Sequence, residues 1–187
     1  MESISSTHPL QILKELEQTC KRKSTETLKV TPKWSGLGFR IANYKMCIES
    51  KYIDEVLDSN FKQNMSSVPG AKKWLSGLIS LRGKALPVID LQQYLLDKEA
   101  EHSKKSRLLV IKFSNTKTGL IVDETFGLQQ IDKHNTSQIN QLRESDSIPK
   151  SILNSSDRSF NINNQSWIEF LVPKLENDEN FISASRF

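Results

Sequence analysis

The residue types that most often carry chemistry are sparse in this chain, and their spacing forms no set. His8, His102 and His134 lie far apart, and none has a neighbour at the spacing of a zinc site. Cys20 and Cys47 make no C-x-x-C pair and are read as two free, buried or half-buried thiols in a reducing cytoplasm. No nucleophile elbow surrounds any serine. Gly36-Leu37-Gly38 precedes a strand pattern, whereas a phosphate loop precedes a helix, so it is read as a flexible strand entry. Ser114–Gly119, SNTKTG, is read as a hairpin turn. Asp54, Glu55 and Asp58 are read as a solvated face of a short helix or as half of a salt bridge. The sequence therefore predicts no catalytic residue, no bound metal, no cofactor and no enzyme activity.

Arg82 remains. It sits in VPGAKKWLSGLISLRGKALPVIDL, Val68–Leu91, at a tight turn between two strand-like runs. Two readings fit the local sequence. Arg82 is either a solvated turn residue, or it pairs with a carboxylate in a bidentate geometry that lysine cannot copy and offers donors to a partner.

The elements that must position it follow from hydrophobic period. Pro9–Lys23 suits a helix, with Leu10, Leu13, Leu16 and Cys20 near one stripe and Lys21-Arg22-Lys23 in the last turn. From Trp34 the period becomes two. Phe39 and Ile41, then Tyr44, Met46 and Ile48, share a face, with Ala42-Asn43 at the turn. KYIDEVLDSNF is read as a short helical or irregular crossover. Leu78–Leu81 and Ala85–Leu91 form a hairpin through Arg82-Gly83-Lys84, and Pro87 belongs at an edge or bulge. LQQYLLDKEAE gives a one- or two-turn helix. RLLVIKF and TGLIVD pair as another hairpin, the first buried on both faces. TFGLQQI and SWIEFLV are further strands; 132–150 carries little pattern, and PKLENDENFISASRF is a tail with sparse apolar points. Short strands at frequent turns, without a βαβ rhythm, predict small barrels or a sandwich.

At 187 residues, 36% hydrophobic and 26% charged, the chain suits one ordinary soluble domain with room for two lobes. Apolar runs such as Leu108–Ile111 are too short to span a bilayer, and the N-terminus lacks the apolar run of a secretory signal. The net charge of +4 comes from short, scattered basic clusters among 22 acids, so no nucleic-acid partner is expected.

The stretch GLISLRGKALPVIDL resembles the signature of the CheW-like domain family. Gly77, Leu81, Arg82, Gly83, Pro87, Val88, Ile89, Asp90 and Leu91 match it. Ser80 replaces the family's usual Asn, and Ile152–Asn154 lacks the glycine often found there. The hairpin GFRIANYKMCI, the acidic IDEVL and a VPG loop come before it, and LIVDETFGLQQI after, in the family's order. A narrower resemblance is to the coupling proteins of the type IV pilus (twitching) chemosensory system.

The resemblance implies a mainly β fold of two small five-stranded SH3-like barrel lobes. It divides the chain into an N-terminal helix and linker (1–33), a CheW-like domain (34–175) and a C-terminal tail (176–187). It implies a cytoplasmic, non-enzymatic adaptor, recruited to membrane receptor arrays and peripheral to the membrane only through the receptor. Its partners would be the signalling tip of a methyl-accepting, PilJ-like chemoreceptor and the regulatory domain of a CheA-type, ChpA-like histidine kinase. The receptor groove, placed between lobes, should involve Ile53, Glu55 and Val56 with Arg82 and Gly83, and Glu55 and Arg82 occupy the places of a family pair. The alternative is a generic β-barrel module for RNA or peptide, which would need a basic face with exposed aromatics.

Overall fold

The computed structural model describes residues 33–132, 136–138 and 148–184. The predicted helix at 9–23, together with Cys20, His8 and His134, lies outside the described residues.

Two six-stranded sheets make up the described part. In the first, the order is β10 (Thr136–Gln138), β11 (Arg158–Ile162), β12 (Gln165–Phe170), β2 (Tyr44–Glu49), β1 (Lys33–Ile41) and β9 (Glu124–Asp132). The second runs β3 (Ile53–Leu57), β7 (Arg107–Lys112), β8 (Lys117–Val122), β6 (Lys84–Asp90), β5 (Leu75–Leu81) and β4 (Met65–Ser66). Short β4 and β10 are what bring each sheet to six strands rather than the expected five. Most neighbours are antiparallel; β12 on β2 and β6 on β8 are parallel.

Three apolar clusters explain the arrangement. A central one joins Phe39, Ile41, Met46 and Ile48 of the first sheet to Ile89, Leu109, Ile111 and Leu120 of the second. The second sheet curls round its own cluster of Ile79, Leu86, Val88, Leu108, Val110 and Ile121, joined by Phe61 from the 3-10 helix Ser59–Asn64. The first encloses Cys47, Ile131, Phe160 and Trp167. Alternate residues of β7 therefore enter different clusters, Leu109 and Ile111 the central one and Leu108 and Val110 the other. The two-sided burial read from RLLVIKF is the consequence. No helix among the described residues is long and apolar enough to cross a membrane.

Among the described residues there are four short α-helices: α1 (Leu91–Leu96), α2 (Lys150–Asn154), α3 (Val172–Glu176) and α4 (Glu179–Ala184). Asp90, the acid of the PVIDL run, caps α1 by accepting from the Gln93 amide at 2.9 Å.

Several local expectations change. IDEVL is a strand, not a helix: its β-branched Ile53 and Val56 lie on an edge paired with β7, and a bulge between Ile53 and Glu55 breaks the alternation. Gly36 and Gly38 are mid-strand rather than at a flexible entry. A Cβ on Gly36 would stand 2.5 Å from the Cys47 sulfur, and one on Gly38 2.8 Å from the Trp167 ring. Pro87 lies on an interior strand, but pairing of β6 with β8 starts only at Val88, so the strand is still an edge where proline stands. Ile152, where the family often has glycine nearby, is fully buried in α2.

A candidate docking groove on the second sheet

The β5–β6 hairpin turns through Arg82 and Gly83, at φ 52° and 77°. Both are left-handed, as a two-residue type I′ turn requires. Gly83 is there for that conformation and not for space, since a Cβ on it would meet nothing within 4 Å. Arg82 takes the same conformation at a cost, because an L side chain disfavours it. The turn carries the guanidinium to the surface, where its side chain is 74% exposed.

Across from it stands Glu55. The 3-10 turn Ser50–Tyr52 leads into β3, and the bulge after Ile53 sets the register in which Glu55 lies opposite Val110. Arg82 Nη2 donates to Glu55 Oε2 at 3.1 Å. The contact is a single one, not the bidentate fork considered from sequence. The other oxygen, Oε1, is buried without a hydrogen-bond partner among the described residues. Next to Glu55, Asp54 meets Lys117 at 2.6 Å and Lys112 at 3.3 Å. The hydrogen bond from Lys117, reinforced by Lys112, holds the Asp54 carboxyl below the usual carboxylate range against the opposing effect of burial.

These charges rim a groove of about 830 Å³. It opens where the parallel strands β6 and β8 part: they pair from Val88↔Gly119 to Asp90↔Ile121, and the residues before that point form opposite walls. Leu78, Pro87 and Phe113 supply apolar lining; Arg82, Lys84, Lys112 and Lys117 face two acids, Asp54 and Glu55. All of the lining comes from the second sheet and its hairpins, so this groove lies on one lobe and not between the lobes, where the resemblance puts the receptor groove.

Of the five residues singled out from sequence, Glu55 and Arg82 meet in this groove. Ile53 packs against the central cluster instead. Val56, 41% exposed, is outside the lining, and Gly83 shapes the turn. Sequence reading missed the places of Lys84 and Phe113 in the groove; the salt-bridge reading of Asp54 holds, with Lys112 and Lys117 as its partners, and the helix-face reading does not. The hairpin read from RLLVIKF, SNTK and TGLIVD held the signal for Lys112 and Lys117, which lie directly opposite each other beside the turn.

The rest of the described surface offers less chemistry. No group of three or more potential metal ligands occurs among the described residues. Cys47 is fully buried, and burial, with the Glu169 charge nearby, pushes its thiol up to about 12. None of the described aromatic side chains is exposed: Phe39 is fully buried, and Tyr44, Phe113 and Phe126 are half-buried.

Comparison with known proteins agrees with this architecture. The model of the family described as CheW-like domain matches residues 35–158. Protein PilI of Pseudomonas aeruginosa is 32% identical over 124 residues, 65% of this chain and 68% of the relative. The chemotaxis protein CheW of Bacillus subtilis is 39% identical over 62 residues, 33% of this chain and 40% of that protein. Among solved structures, the scaffolding protein TtCheW from Thermoanaerobacter tengcongensis superposes with a TM-score of 0.61 at 21% identity, covering 74% of this chain and 89% of that one. On the strength of the family match, which spans the second sheet, the groove and most strands of the first sheet, the chain belongs to the CheW-like domain family.

Proposed function

We propose that the protein is a non-enzymatic, cytoplasmic adaptor that couples a methyl-accepting chemoreceptor, PilJ-like, to a CheA-type histidine kinase, ChpA-like, in the chemosensory control of type IV pili and twitching motility. Membership of the CheW-like family supports the adaptor role, and the similarity to PilI supports the pilus system. The observation that carries the site is the Arg82–Glu55 pair at the mouth of an apolar-lined groove. A coupling protein needs surface rather than tuned acids and bases, and an apolar anchor site with a charged rim suits a reversible interface. The receptor's signalling tip would occupy this groove, and the kinase regulatory domain would bind elsewhere on the domain. Capture of a receptor-tip fragment by wild type, but not by Arg82→Ala or Glu55→Lys variants that keep their fold, tests the assignment. The alternative, a generic β-barrel module for RNA or peptide, is less favoured, because no described aromatic side chain is exposed to form a stacking platform.

A further inference from the structure

The groove wall made by the β7–β8 hairpin is held from behind by the end of the chain. The hairpin turn closes with the Phe113 amide donating to the Thr116 carbonyl at 2.9 Å. Its next amide, Ser114 N–H, points out of the turn and donates to Glu176 Oε1, at the end of α3, at 2.8 Å. Phe113, which lines the groove, also packs on Phe181 of α4, with ring centroids 5.5 Å apart. Phe181 is itself only 6% exposed. It sits among Trp74, stacked at 6.3 Å, and Tyr94, edge-on at 5.6 Å. A short C-terminal segment thus grips the hairpin twice, once by a charge-assisted hydrogen bond to its backbone and once by an aromatic contact with its groove-lining ring. This segment follows residue 158, where the family match ends.

We propose that α3 and α4 are positioning elements for the docking groove: Glu176 and Phe181, which line no part of it, fix the β7–β8 tip as its wall and thereby set how tightly the groove holds its partner. The link to a partner rests on the receptor-docking reading above. The grip on the hairpin does not. A hydrogen bond from a neutral amide to a carboxylate is among the stronger ones, so its loss should free the tip locally without unfolding the domain.

Amide hydrogen exchange on the full-length protein, with no partner present, tests the grip. In Glu176→Ala the Ser114 amide and its turn neighbours should exchange faster by about 10-fold or more. The amides of β5 and β6, and the denaturation midpoint, should stay as in wild type. Glu176→Gln, which keeps an acceptor oxygen, should restore part of the protection. Phe181→Leu should loosen the same tip less than Phe181→Ala. Unchanged exchange at the tip in Glu176→Ala overturns the proposal, whatever happens to Phe181→Ala, whose fold is at greater risk. Binding of a soluble receptor-tip fragment gives the second readout. Glu176→Ala should raise its dissociation rate while Arg82→Ala abolishes capture. A freed tip with unaltered release of the fragment, where Arg82→Ala does abolish capture, overturns the link between strap and affinity. Capture that survives Arg82→Ala contradicts the docking reading instead, and the exchange result still decides the grip.

Discussion

Arg82, at the tip of the β5–β6 hairpin, donates to Glu55 on the edge strand β3, 27 residues earlier, at 3.1 Å. The contact ties a turn to the far edge of the same sheet. It does so with an arginine in a left-handed conformation that asparagine or glycine would take more easily. A turn built only for stability would not keep arginine there. An exposed ion pair contributes at most about 1 kcal/mol and offsets the backbone cost only in part.

Replacing Arg82 should therefore separate fold from binding. Arg82→Asn suits the type I′ turn and should have a denaturation midpoint no lower than wild type, while losing receptor-tip capture. A midpoint lowered by more than about 1 kcal/mol equivalent would mean that the ion pair supports the fold.

The close approach at Gly36 gives a prediction about the core. A Cβ there would meet the Cys47 sulfur, the Trp34 ring and the Ile48 carbonyl, all within 2.7 Å. Gly36→Ala should destabilise the domain by about 1–3 kcal/mol through overpacking, as read by urea denaturation. A neutral result would show that β1 and β2 separate more readily than their packing implies.

Glu169 provides the pH dependence. Burial raises its carboxyl above the usual value of 4.5, with Arg158 opposing. A raised folded-state value means that the folded protein holds the proton more tightly than the unfolded chain does. The stability this gives is present below pH 4.5 and is lost as pH rises through the folded value. Glu169→Gln should be more stable than wild type at pH 7, with the gap closing at about pH 4. A gap that is constant across this range removes Glu169 as its source.

Cys47 should be chemically silent in the folded protein. It is fully buried and its thiol is pushed up to about 12, so almost no thiolate exists near neutrality. In a Cys20→Ser background, a thiol reagent should label it only at the rate of unfolding. Rapid labelling under native conditions would contradict the packing of β1 against β2.

Much of this architecture was legible because local and global preferences coincide. The hairpins β1–β2 and β5–β6 show a period of two and a marked turn, and β7 betrays its two-sided burial by an unbroken apolar run that ends at the turn into β8. Strand β3 was misread because a bulge shifts its alternation and its acids resemble a helix face. Strands β10 and β11 are too short and polar to announce themselves. The C-terminal stretch looked sparse because its decisive apolar residue, Phe181, is buried by partners distant in sequence, Trp74, Tyr94 and Phe113. The site divides in the same way. Local sequence left Arg82 with two readings, and only the family resemblance paired it with Glu55. The groove depends on where two parallel strands part, a non-local feature that no single segment encodes.

Reconstitution with a receptor-tip array and a CheA-type kinase is the most direct measurement of the adaptor role. Autophosphorylation of the kinase should respond to the receptor only when this protein is present, and Arg82→Ala should break that dependence while leaving kinase binding in place. Receptor control of the kinase that is equally strong without the protein would contradict the account.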